Sequence, residues 1–295
     1  MTMDMTLLPA PAVIEPLDFE SIYQDRLAKF QTLYPDFTLV LESDPIVKLL
    51  EVIAYQELIL RQRINDAARA TMLAYALGTD LDNLAANYQV ERLLITPADT
   101  TATPPVAAIY ESDDRLRERT QSALEGLTTA GSRESYRFHA ISASALVADV
   151  GVDSPTTDGS VRITVLADTA SGMPDADLLH TVLQALSAET IRPLNDLVTV
   201  QAPEMIDVEI HATLYRKNDA ASAIAAATGR TALNAWLLKI RRLGVGLARS
   251  GIDAALHQPS IDRVVLTSPP ADILCTRTQC VRVTGITLSE VVSNE

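Results

Sequence analysis

Cys275 and Cys280, separated by four residues, are the first place to look for metal or redox chemistry in this chain. A zinc site needs two further ligands, and the nearest histidine in sequence is His257. The spacing therefore favours two free thiols near a hairpin over a metal. Gly244-Val-Gly246 with Gly251 supplies the glycines of a dinucleotide loop. The run follows a helical segment rather than a strand, however, and lacks the G-x-G-x-x-G spacing; a helix terminus followed by a turn is its expected role. Asp113, Asp114 and Glu118 could act as an acid/base set or hold a divalent ion, but they are interleaved with Arg115, Arg117 and Arg119. That pattern predicts a salt-bridged helix surface. His139, His180, His211 and His257 fall in separate segments without a partner nucleophile, and no H-E-x-x-H occurs. These residues predict no catalytic group, no metal ligand and no cofactor.

The elements that carry them are more informative. Asp44-Pro45 reads as an N-cap followed by a proline in the first turn, where the missing N–H costs nothing. No further glycine or proline interrupts the chain until Gly78, placed where a left-handed C-terminal residue is wanted. The spacing predicts one helix of ~33 residues, roughly 50 Å long. Ile46, Leu50, Ile53, Leu60, Ile64 and Ala67 follow a 4-3 rhythm with Glu57 on the seam, while Leu49, Val52, Ile59 and Leu73 widen the apolar face. A helix apolar on so many sides needs more than one neighbour. Its helix-spaced pairs Lys48/Glu51 and Glu57/Arg61 are each worth a few tenths of a kcal/mol, far less than burial of the aliphatic side chains.

Around this helix the pattern predicts an α+β chain. Residues 1–16 form a proline-spaced arm, disordered or laid along a partner. Residues 17–95 form a helical core-bundle region, with a helix over 18–34 and a short one from Asp80. A Thr/Ala/Pro linker over 96–110 follows. Residues 111–203 hold further helices and a first α+β module, with strands at 145–153, 161–167 and 196–202 and a helix over 174–189. Residues 204–295 form a second module, with strands at 205–215, 261–267 and 280–288 and helices over 219–241 and 250–257. The architecture is a helical N-terminal third with one very long helix, followed by two small α+β modules.

Composition sharpens the function class. Aromatics are only 4% of the 295 residues, which favours packing over a small-molecule pocket. A net charge of −14 argues against nucleic acid. Eight basic and three acidic residues make the segment 211–263 +5, leaving −19 elsewhere; such bipolarity suits docking between copies. No basic-apolar leader and no membrane-length apolar run is read.

Four segments, in order, resemble the baseplate J-like proteins of contractile-tailed phages and related tail-like particles. They are Ser43-Asp-Pro-Ile-Val-Lys-Leu-Leu-Glu-Val-Ile-Ala-Tyr-Gln-Glu running into Leu60-Arg-Gln-Arg-Ile-Asn65; Gly78-Thr-Asp-Leu-Asp-Asn-Leu-Ala85 with Arg92; Ala130-Gly-Ser-Arg-Glu-Ser-Tyr136; and Arg192-Pro-Leu-Asn-Asp-Leu-Val-Thr-Val-Gln-Ala-Pro203. Leu243-Gly244, Ser250-Gly-Ile252 and Val264-Val-Leu-Thr-Ser-Pro269 are similar to the family's closing module. The resemblance spans roughly residues 15–290, in a chain shorter than the family's largest members.

The resemblance implies a non-enzymatic baseplate wedge protein, assembled in the bacterial cytoplasm and located in the virion tail baseplate. It would form the inner ring around hub and spike, serve tail assembly and transmit the contraction trigger. Implied partners are other copies of the chain in a six-fold ring, a small wedge protein sharing the helical bundle, the hub and spike, and sheath-proximal wedge proteins. The expected core-bundle interface is Ile46, Leu50, Ile53, Glu57, Leu60, Ile64 and Ala67; the expected ring interface is Arg230, Lys239, Arg241, Arg242 and Arg249. On that reading Glu57→Leu alters partner choice more than monomer folding, and reversing Arg241 and Arg242 weakens ring formation in a salt-dependent way. A wedge component of a bacterial contractile secretion system is the alternative, and a small-molecule-modifying enzyme a distant one.

Overall fold

The structure, a computed structural model, describes residues 5, 9, 11–38, 41–127, 131–217 and 220–292. Expectations placed on residues 1–4, 6–8 and 10 of the 1–16 arm, on Ala130 and on Asp219 lie outside the described residues. The chain is α+β and divides into two compact units, Met1–Arg92 with Ser112–Gln121, and Leu93–Glu111 with Ser122–Glu295.

The first unit is helical. Helix α1 (Phe19–Leu33) starts where Asp18 accepts a hydrogen bond from the Ser21 N–H at 2.8 Å, satisfying one of the orphan donors of a helix start. Helix α2 (Pro45–Ala70) starts in the same way, with Asp44 accepting from the Ile46 N–H and Pro45 in the first turn. The two helices pack side by side; their buried apolar residues are Ile22 and Leu27 on α1 and Val47, Leu50 and Ala54 on α2.

Helix α2 has 26 residues, about 39 Å, and is shorter than the sequence predicts. It ends because a distant arginine captures the next turn. Arg117, on α4 (Asp113–Ser122), donates to the Leu73 and Ala76 carbonyls, both at 2.8 Å. Those carbonyls are thereby satisfied outside a helix. Gly78, at φ +53°, opens α3 (Gly78–Ala86) instead of closing α2.

The second unit begins with a small hairpin in the segment expected as a linker. Strands β1 (Leu94–Thr96) and β2 (Ile109–Tyr110) pair antiparallel, and an Asp99–Val106 bridge extends the ladder. A 3-10 turn at Ala123–Leu127 leads towards α5 (Arg133–Ser142), which Ser132 caps. Strands β3 (Val147–Asp153) and β4 (Ser160–Ala167) are antiparallel neighbours; α6 (Ala176–Leu186) then carries the chain to β5 (Leu197–Gln201), parallel to β4. Helices α5 and α6 and the sheet enclose Tyr136, Val147, Ile163, Val165, Val182 and Leu186.

The last module centres on β6 (Glu204–Arg216). Helices α7 (Ala220–Ile240) and α8 (Arg249–Leu256) follow, then β7 (Ile261–Ser268), antiparallel to β6, and β8 (Gln279–Val292), parallel to it. Ile210, Leu214, Leu233, Leu247, Ile252 and Leu256 form its core. The order β7-β6-β8 parallels the order β3-β4-β5, each central strand having one antiparallel and one parallel neighbour.

Candidate functional site

The residues with chemical potential have structural roles. Cys280 is buried and Cys275 half-buried, both free, and burial pushes the Cys280 thiol up to about 11. An unreactive thiol is the result. A Cβ at Gly246 would lie 2.3 Å from the Ile273 carbonyl oxygen, and one at Gly251 would lie 2.2 Å from the Trp236 ring. The glycines of that run therefore allow close packing. His139 meets the Gly126 carbonyl at 3.1 Å, and burial holds its imidazole below the ordinary range. Among the described residues no group of three or more His, Cys, Asp or Glu side chains could hold a metal ion.

The acidic-basic run of α4 departs from a simple salt-bridged surface. Arg119 is buried and donates to the Glu91 carbonyl at 3.0 Å. Arg92 sits between Asp82 and Asp113, 2.7 Å from each, while Asp113 also accepts from the Gly78 N–H at 3.0 Å. That amide is the largest influence holding the Asp113 carboxyl low, with Arg92 adding to it. The Gly78-Thr-Asp-Leu-Asp segment and Arg92 are thus one staple joining α3 to α4. Likewise Tyr136 donates to Asp196 at 2.8 Å, tying the Ser132–Tyr136 and Arg192–Val198 segments together.

The arm is anchored where it is described near its end. Asn65 of α2, 3% exposed, donates to the Glu15 carbonyl at 2.9 Å and accepts from the Glu15 N–H at 3.1 Å. Arg61 reaches the Glu15 carboxylate at 3.2 Å. At Glu15 the arm lies on its own chain's helix. Asn65 was not singled out from sequence as a contact residue; a polar residue within an apolar helical stripe was the signal.

Along α2 the structure separates the seven expected interface residues. Leu50 is buried in the α1–α2 pair, and Glu57 is bound there by Arg26 of α1 and by Arg61 at 2.8 Å. Its carboxyl is held low first by Arg26. These two residues therefore serve the chain's own helix pair. Ile46, Ile53, Leu60, Ile64 and Ala67 are exposed, as are Leu49, Val52, Tyr55 and Ile59. A groove of about 480 Å³ runs beside this surface, lined by Leu58, Ile59, Arg63, Ala67 and Ala70 among others.

The five expected basic residues separate too. Arg249 donates to the Pro269 carbonyl at 2.5 Å and to Leu266 at 3.0 Å, and Arg230 donates to the Ile286 carbonyl at 2.8 Å. Arg241 donates to the Thr169 carbonyl. These three guanidiniums brace their own unit. Lys239 and Arg242 are exposed on or just after α7.

A joint between the two α+β modules was missed from sequence. Asp149 of β3, 4% exposed, accepts from the Leu243 N–H at 2.8 Å. Arg137 approaches its other oxygen at 2.7 Å, an ion pair by distance that leaves this oxygen without a well-directed hydrogen bond. A Cβ at Gly151 would lie 2.2 Å from the Arg277 carbonyl oxygen, so the β8-side loop rests directly on β3.

Comparison with known proteins follows the same segments. A baseplate J-like N-terminal domain matches residues 42–99, and a baseplate J-like central domain matches residues 128–202. The chain is 46% identical over 284 residues to baseplate protein J of Escherichia phage P2, an alignment that covers 94% of each protein.

Proposed function

The chain belongs to the baseplate J-like family, structural proteins of the phage tail baseplate, and from that premise we propose that it is a wedge component whose α2 bundles with helices of neighbouring wedge subunits. The observation that carries this reading is the bare apolar surface of α2. Ile53 is 43% exposed, Ile64 56% and Leu60 62%, on a helix whose opposite side is already covered by α1. Water contact on that many aliphatic side chains is costly, and each one fully buried contributes about 1.5–3 kcal/mol. A helical partner supplies the ridges that such a surface accepts. The helix pair is pre-formed by the Arg26–Glu57–Arg61 set and by the Asn65–Glu15 hydrogen bonds, so little ordering remains to be done on docking.

In this reading the second unit makes contacts around the hub and spike, with the whole forming the inner ring that holds through the contraction trigger. The phage origin of the similar protein J favours a phage tail over a bacterial secretion machine. Quantitative mass spectrometry of purified tail particles tests it, by the ratio of this chain to the sheath subunit. A fixed ratio equal to six or twelve copies per particle is expected; absence from intact, contractile particles overturns the wedge reading.

A further inference from the structure

A cleft of about 290 Å³ opens at the joint between the two α+β modules, and its electrostatics run against what folding alone would select. Arg133 and Arg137 of α5 line it together with Arg277 from the loop before β8. Arg133 and Arg137 are four residues apart on one helix, a like-charge spacing that weakens a helix. Arg133 is also the first residue of α5, following the Ser132 cap, where the helix dipole disfavours a cation. Neither the Arg133 nor the Arg277 guanidinium makes an ion pair or hydrogen bond with a described residue, and both residues are exposed. The single carboxylate lining the cleft is Glu134.

Arg137 is offset by its ion pair with Asp149 at 2.7 Å. The cations left without a described partner are therefore Arg133, at a helix start that disfavours it, and Arg277, and both line this one cleft. Such a coincidence marks a site rather than a solvated surface. The backbone beneath is held firmly, because the Arg277 carbonyl rests on Gly151 and Asp149 ties β3 to Leu243. The guanidiniums are therefore presented from a fixed frame. Val150, Val152 and Leu243 supply the cleft's apolar lining.

We propose that this cleft is a docking site for an acidic segment of another protein chain, with a carboxylate held by Arg133 and Arg277 and an adjacent aliphatic side chain against the valines and Leu243. Planar guanidiniums recognise carboxylates through paired hydrogen bonds. Three arginines with one glutamate are too few to hold a nucleic-acid backbone against a chain charge of −14. The volume accommodates one or two side chains, which fits a peptide segment.

The full chain, a fluorescein-labelled peptide of alternating glutamate and leucine, and an equally labelled oligothymidine provide the test by fluorescence anisotropy. Saturable peptide binding is expected, weakened about tenfold or more by R133E together with R277E and lost in about 1 M salt. The double variant should melt like the parent, since neither guanidinium has a partner among the described residues; R133Q with R277Q serves if charge reversal disturbs folding. No saturation up to about 1 mM peptide, equal affinity of parent and variant, or tighter binding of oligothymidine would each overturn the proposal. The measurement needs no tail particle, so its failure leaves the wedge reading intact.

Discussion

Glu57 sits where α1 and α2 meet, taking Arg26 from one helix and Arg61 from its own. Its expected part in partner choice gives way to a part in the monomer. Glu57→Leu should lower the thermal midpoint of unfolding by a small amount, on the order of 2 °C, because both guanidiniums lose their acceptor at a partly exposed site. Circular dichroism melting checks this, and an unchanged midpoint with altered partner binding would restore the original reading. A residue whose partner is a few positions away was legible in the sequence: Asp44, read as an N-cap, caps α2, and Asp18 and Ser132 cap α1 and α5 in the same local way. Arg117, Asn65 and Asp149 were not, because their partners lie 41 to 94 positions away along the chain. Nothing local distinguishes such a residue from a solvated one.

At the scale of elements, period and turn chemistry recover nearly every helix and strand, and the two three-stranded modules follow from them. The failures have specific causes. Helix α2 ends at Ala70 because Arg117 claims the carbonyls that would continue it, so uninterrupted helix-forming sequence overstates its length. The β1–β2 hairpin is short, exposed and proline-containing, which hides its pairing. The inter-module joint depends on backbone meeting backbone, and Gly151 is its tightest point. Gly151→Ala should destabilise the second unit by about 1–3 kcal/mol, since the added methyl meets a carbonyl that cannot swing aside. Chemical denaturation with a probe in each module reports it. Wild-type stability would mean that the loop carrying Arg277 yields freely.

For the whole molecule, the charge asymmetry read from the sequence is real in composition but not free in space. Of the five basic residues expected at a ring interface, Arg230, Arg241 and Arg249 are engaged with carbonyls of their own unit. Reversal of Arg241 would therefore act first on the chain's own joint. Apolar surface, rather than the basic segment, carries the case for assembly, and α2 presents a contiguous stretch of it from Ile46 to Ile64. The most direct measurement is maleimide labelling of single cysteines placed at Ile53, Leu60 and Ile64, in the free chain and in intact tail particles. Cys280 is buried with its thiol pushed up to about 11 and adds little background, while Cys275 is replaced by serine. All three positions should label readily in the free chain and be protected in particles. Equal labelling in both states would contradict the assignment of α2 as the bundling helix.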